Sequence, residues 1–285
     1  RFLNGLTLSA DGAPVPLAVE SVDLDPVGDI DFARLSRLTL SGQLPPNAQN
    51  VVFSFDPAFG PSVIRVPDAQ GEYSYSAYLE NGGSSEPIPV EGGLTVSAGR
   101  IFVDYIGIGF THIVPKGLDH ILFVAGLFLL SPRLKPLLIQ ITSFTVAHSV
   151  TLALAMLGVI SVPASIVEPL IAASIVFIAV ENLMTSRLSP WRPFVVFGFG
   201  LLHGLGFAGV LAEIGLSPAH FVSGLIGFNV GVEGGQLAVV AACYALFGAW
   251  FSDKRWYRAR VTMPMSLAIA AVAVWWFAQR TGMIA

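Results

Sequence analysis

The chain has 285 residues, 54% of them hydrophobic and only 12% charged, with a mean hydropathy of +0.70. Soluble domains run nearer 45–50% apolar and about 25% charged, so an ordinary soluble fold is excluded and an integral membrane protein is indicated. The net charge of −4 comes mainly from the N-terminal part and supports neither nucleic-acid binding, nor a phosphate-binding role, nor a polybasic lipid anchor.

The average hides a division. Residues 1–100 carry most of the acids and turn-formers, while residues 101–285 hold almost all the long apolar runs. The first part is expected to be an extracytoplasmic antiparallel β-sandwich and the second a transmembrane helical bundle. Strand-like runs at Leu6–Leu8, Leu17–Val22, Arg37–Leu40, Val51–Phe55, Ser62–Val66, Tyr73–Leu79 and Leu94–Val96 alternate with Asp-Gly, Asp-Pro, Pro-Pro-Asn and Asn-Gly-Gly turn signals. Phe53, Phe55, Tyr73, Tyr75 and Tyr78 are expected as core or cross-strand aromatics. The acids Glu20, Asp23, Asp25, Asp29 and Asp31 lack the Gly turn and terminal Glu of a calcium loop and read as a solvated edge. Arg1 opens directly into strand-like sequence, as expected of a processed or truncated start in an exported domain.

Hydropathy predicts about six spans, at 117–131, 134–158, 162–185, 191–213, 219–251 and 260–280, with Ile101–Ile113 as an interfacial or re-entrant stretch joined to the first at Pro115. Basic residues set the orientation. Arg133 and Lys135, Arg187 and Arg192, and Lys254, Arg255, Arg258 and Arg260 fall in alternate loops, while loops 158–162 and 213–219 have no Lys or Arg. The positive-inside rule places the basic loops in the cytoplasm and the β domain and C-terminus outside. In a bacterium this is an inner-membrane protein whose N-terminal domain and C-terminus are periplasmic.

Cys243, the only cysteine, lies in an apolar run, so there is no intramolecular disulfide or thiolate cluster and any metal site uses N and O ligands. Four of the five histidines, His112, His120, His148 and His203, lie in the apolar half with Asp119, Glu181 and Glu233. A charged residue at a helix centre costs roughly 2.5–3.5 kcal/mol on insertion scales, so ionisable groups at that depth tend to mark a site. By this topology His112, Asp119 and His120 lie near the outer surface. His148, His203 and Glu233 lie at middle depth, with Glu181 nearer the inside. Asn229, Glu233 and Gln236 recur at i, i+4 and i+7, a polar stripe that must face protein or water. The second span is unusually hydroxylated, with Ser143, Thr145, Ser149 and Thr151 around His148, and His203 sits among glycines in a segment suited to close packing. Imidazole and carboxylate suit Ni²⁺, Co²⁺ and Zn²⁺, and Asp119 is either a ligand or the partner that orients a ligating histidine.

His112-Ile-Val-Pro-Lys-Gly-Leu-Asp-His120, followed by an apolar run, resembles the His-Pro-x-x-Gly-x-Asp-His type signature of the HupE/UreJ family, membrane proteins linked to hydrogenase and urease maturation. Phe144–Leu152, Glu181-Asn182, Phe197–Ala208 and Phe228–Gln236 strengthen the match to the branch with an extracytoplasmic N-terminal domain. Together these motifs cover roughly residues 107–240. Ile113 stands where proline often follows the first histidine, with Pro115 two residues later. The resemblance implies a secondary transporter of nickel or cobalt, with metal contact at His112, Asp119 and His120 and with His148 and His203 as further ligands.

Plainer readings stand beside these. His148 and His203 serve as interhelical hydrogen-bond partners, Glu233 bonds across to His203 or Asn229, Glu181 and Asn182 cap the inner surface, His112 is interfacial, and His220 is an ordinary residue of a polar loop. Three functions fit. The first is a transporter passing a divalent cation from the periplasmic mouth to a midplane site near His148, His203 and Glu233. The second is a zinc-dependent membrane hydrolase using Ser143 or Ser149 on a lipid-like substrate. The third is a non-catalytic subunit whose β domain docks a protein partner. The transporter, with a His/carboxylate metal site, is the reading adopted.

Overall fold

The computed structural model describes residues 5–24, 36–60, 62–67, 73–79, 82–90, 97–214 and 220–284. The chain divides into two compact units, Arg1–Val96 and Ser97–Ala285.

In the first unit every strand pairing is antiparallel. β1 (Leu6–Ala10) lies between β2 (Ala13–Val15) and β5 (Asn50–Phe55), and β5 also pairs with the short β8 (Gly83–Ser84) and β9 (Ile88–Pro89). β3 (Ala18–Leu24) pairs with β4 (Ser36–Ser41), and β6 (Ser62–Pro67) with β7 (Tyr73–Leu79). The Asp-Gly signal makes the β1–β2 turn. Ala10 faces Ala13 across two residues, Asp11 and Gly12, with φ of 48° and 84°, the left-handed pair that a tight hairpin needs and that Asp-Gly tolerates. The Asp11 carboxylate then accepts from the backbone N–H of Gln49 (2.8 Å) and Asn50 (3.0 Å), tying the turn to the start of β5. Ile64 and Ile88 form the buried centre, with Val51, Phe53, Phe55, Val66 and Leu79 packed on it. Phe53 and Phe55 thus lie where their alternation put them. The predicted strand at Leu94–Val96, the side chains of Tyr73, Tyr75 and Tyr78, and Asp25, Asp29 and Asp31 lie outside the described residues.

The second unit is helical: α1 (Ala98–Ile113), α2 (Leu118–Leu130), α3 (Leu134–Met156), α4 (Ala164–Met184), α5 (Arg192–Ile214), α6 (Phe221–Phe251, with a π-helical turn at Tyr244–Gly248) and α7 (Arg258–Arg280). Four of these, α3, α4, α6 and α7, are long and apolar enough to cross a membrane, and a fifth span results if α1 and α2, bent by 73° at their junction, count as one. Ile101–Ile113, expected as an interfacial or re-entrant stretch, lies within the 16-residue α1, which together with α2 makes a broken span or a re-entrant loop. Pro115 supplies no N–H, and the Gly117 backbone tucks under the His112 carbonyl, where a side chain has no room.

Packing directions follow from named contacts. Along α1 and α6, Gly227 lies against Phe102, Gly231 against Ile106 and Gly235 against Ile113, so these helices run parallel in close contact. α3 and α5 are also parallel: Ser143 donates to the Pro193 carbonyl, Gly200 lies against Phe144 and Gly204 against His148. α4 and α7 run antiparallel, with Arg280 donating to the Glu168 carbonyl near one end and Asn182 meeting Ser266 towards the other. Polar and apolar residues are distributed inside out. Gln140, His148, Ser174, Asn182, His203, Gln236 and Ser266 are buried, while Leu138, Val146, Phe177, Leu246, Leu267 and Trp275 are exposed. A large apolar exterior around a polar centre is expected of a body solvated by lipid; the protein is a membrane protein.

Candidate metal centre

Four helices deliver one histidine each. His112 ends α1, His120 opens α2 beyond the bend, and His148 and His203 sit in the interiors of α3 and α5. One nitrogen from each of His112, His120 and His148 lies within 4.8 Å of the others. Ring centroids are 4.8 Å apart for His112–His120, 6.1 Å for His112–His148 and 6.0 Å for His120–His148. The His203 ring joins on the other side of His120, at 4.8 Å. His120, His148 and His203 are buried and His112 half-buried.

These rings share one level, whereas the sequence suggested a mouth and a separate midplane site. The sharp bend between α1 and α2 brings His112 and His120 together and sets them against the interiors of α3 and α5. His148 lies fourteen residues into α3 and His203 eleven into α5, about 21 and 17 Å of helical rise. Phe144 and Phe228 flank His148, Phe207 covers His112 at 3.8 Å between centroids, and Phe123 lies 5.3 Å from His203. These aromatic rings help bury His120, His148 and His203, while His112 stays half-buried.

The hydrogen-bond inventory carries the chemistry. Among the described residues, His112 Nε2, His120 Nε2, both nitrogens of His148 and His203 Nδ1 are buried without a partner. Buried polar atoms are normally satisfied, so each exception calls for an explanation. One nitrogen from each of His112, His120 and His148 makes a group of the kind that suits a borderline cation such as Ni²⁺, Co²⁺ or Zn²⁺, which imidazole lone pairs bind well.

Among the described residues no acid joins the group of histidine nitrogens. Asp119 pairs with Arg280 at 3.0 Å, both side chains about a quarter exposed. Arg280 also donates to the Glu168 carbonyl and stacks over Trp276. Glu233 accepts from Thr142 at 2.8 Å rather than from Asn229, and among the described residues no bond joins it to His203. Gln236 accepts from Thr145 at 3.0 Å, so the stripe on α6 faces α3. Asn229 donates to the Leu225 carbonyl. Glu181 lies 3.3 Å from the buried Arg192 guanidinium. Asn182, fully buried, donates to the Gly126 carbonyl and to Ser266, joining α2, α4 and α7 rather than capping a surface. Ser143 and Ser149 donate to the backbone carbonyls of Pro193 and Thr145. The hydroxyl that touches the centre is that of Ser174, 3.1 Å from His203 Nε2. No motif singled out Ser174, since a serine in an apolar helix carries little signal. The role of Arg280 at the chain's end was equally hidden.

A family model described as HupE / UreJ protein matches residues 91–280. No curated protein matches the chain, and no solved structure does. The match covers every helix of the unit that holds the histidines, and the chain belongs to the HupE/UreJ family.

Proposed function

We propose that the protein moves a divalent transition metal of the nickel and cobalt class across the bacterial inner membrane. The family is associated with nickel and cobalt transport or accessory roles. The observation that carries the reading for this chain is the group of His112, His120 and His148, one nitrogen of each lying within 4.8 Å of the others, with Nε2 of His112 and of His120 making no hydrogen bond among the described residues. These three replace water around the ion and His203 is the next donor along. Asp119 and Glu233 balance charge. Asp119 joins the ion only when Arg280 releases it, which ties cation arrival to an ion pair between α2 and α7.

Six spans support this route best. The parallel α1–α6 and α3–α5 pairs and the antiparallel α4–α7 pair agree with strict alternation if α1 with α2 forms one broken crossing and α5 another. The positive-inside rule then puts the basic loops in the cytoplasm and the β unit, with the sandwich topology expected of it, in the periplasm. Broken helices meeting near the middle of a bilayer are a recurring way to expose polar groups to a transported ion.

The Ser174–His203 contact supports a second reading, a zinc hydrolase in which the same imidazoles would hold zinc and the metal would supply the activation of water needed to cleave a lipid ester or amide. Proteoliposomes separate the two. Transport predicts that radiolabelled nickel accumulates under an ion gradient and that His120→Ala abolishes accumulation. Tightly held stoichiometric zinc without flux under any gradient would overturn transport in favour of hydrolysis.

A further inference from the structure

The fourth histidine has a hydroxyl neighbour of its own. His203, in the interior of α5, and Ser174, on α4, are each 1% exposed, and Ser174 Oγ lies 3.1 Å from His203 Nε2. Gly206, one turn beyond His203, lies against Ile171, one turn before Ser174, and an added methyl group there would overlap the isoleucine side chain. The two helices therefore come close at this level.

The positions of the oxygens and nitrogens decide which partner carries the shared hydrogen. A serine hydroxyl has one hydrogen to donate and two lone pairs with which to accept. Ser174 Oγ also lies 2.6 Å from the Ile171 carbonyl oxygen, an acceptor that brings no hydrogen. Two oxygens that close repel unless a proton lies between them, so the serine donates to the carbonyl. What it turns to His203 is a lone pair, and the 3.1 Å contact is a hydrogen bond only if Nε2 carries the hydrogen. The neutral imidazole, the form that binds metals, has one N–H. Nδ1 is then the bare nitrogen, and it is buried without a partner among the described residues.

A histidine kept only to join two helices would satisfy both nitrogens, as buried polar atoms normally do. Here one nitrogen anchors the ring to α4 and the other is left open. The ring itself is held: Phe123 lies 5.3 Å and Phe144 5.0 Å from His203 between centroids, and the His120 ring stands edge-on at 4.8 Å. The same division, one nitrogen for the ion and the other donating to an acceptor, fixes the tautomer of metal-binding histidines generally.

We infer that Ser174 is a positioning residue that holds His203 as its Nε2–H tautomer and so reserves Nδ1 as the donor that takes the divalent cation from His120. This role rests on the transport reading and extends it, naming the cation's second stop and the group that prepares it.

The test uses the full chain in lipid bilayers with histidine labelled with ¹⁵N, because the two neutral tautomers give distinct nitrogen resonances; His203→Asn identifies the His203 signals by their loss. The metal-free protein is expected to show His203 as Nε2–H. Ser174→Ala, which removes the acceptor without adding volume, is expected to populate the Nδ1–H form and to slow nickel accumulation in proteoliposomes about tenfold, the lower end of the loss when the partner of a metal-binding histidine is removed. Ser174→Thr, which keeps the hydroxyl, is expected to preserve both tautomer and flux. Zn²⁺, added as a diamagnetic ion of the same class, is expected to move the Nδ1 resonance. An Nδ1–H tautomer in the wild-type protein, a zinc-induced shift confined to Nε2, or a Ser174→Ala protein that changes tautomer yet accumulates nickel at the wild-type rate overturns the inference while wild-type flux leaves transport standing. Absence of nickel accumulation by the wild-type protein overturns transport, and with it the role reserved for Nδ1.

Discussion

A buried imidazole nitrogen without a partner costs about 1–3 kcal/mol, and five of them lie in one place here. If the cluster exists to hold an ion, the metal-free protein bears that cost. His148→Leu is then expected to leave the thermal midpoint of the metal-free protein unchanged or higher while removing nickel binding in calorimetry. A drop of several degrees with binding intact would make His148 a packing residue. Asn182 is the opposite case at its amide nitrogen, which donates to both the Gly126 carbonyl and Ser266. Asn182→Ala is expected to cost roughly 0.6–2 kcal/mol, the range for hydrogen bonds between membrane helices, with metal affinity unchanged. The histidines were legible because ionisable groups are rare in apolar runs. Ser174 and Arg280 were not, since their importance depends on which helices become neighbours.

The elements position these residues through tight seams. At Gly231 an added methyl group would overlap the Ile106 carbonyl, forcing α1, and with it His112, away from α6. Gly231→Ala is expected to cost about 1–3 kcal/mol, as overpacking does, and to weaken metal binding together with the thermal midpoint; unchanged affinity would show that α1 does not hold the ligand in place. In the β unit, the backbone N–H groups of Gln49 and Asn50 hold the Asp11 carboxyl below its ordinary value of 3.8. A depressed folded value means that the stabilisation is complete above the ordinary value and is lost as pH falls through the lowered one. Protection of the Gln49 and Asn50 amides, measured against their intrinsic exchange rates, is therefore expected to fall only below about pH 4, and a loss of protection near neutrality would contradict the tie. The hairpin and the helix break at Pro115 could be read from local chemistry, since Asp-Gly and proline act on their own backbone. The 73° bend depends on where α1 and α2 pack, which no local pattern encodes.

Across the whole molecule, polar groups inside the helical unit and apolar groups outside make the bilayer the solvent, and the uneven basic loops are the basis of the orientation proposed for it. Composition showed the first at once. The single level of the four histidines was not legible, because depth was judged span by span while the bend returns α1 and α2 to the same place. With Cys243 replaced by serine, Ser161→Cys and Ser186→Cys are expected to react with a membrane-impermeant maleimide from opposite sides, Ser161→Cys from the periplasm. Labelling from one side would break the alternation of spans. The central claim, that imidazoles from α1, α2 and α3 together bind one cation, is tested most directly by X-ray absorption on the purified full chain loaded with nickel. The predicted result is one ion per chain with at least three imidazole nitrogens near 2.0–2.1 Å, the distance known for zinc–histidine bonds and close to that for its neighbours in the series, lost in His120→Ala. A shell of oxygen alone, or nickel bound equally by His120→Ala, would contradict it.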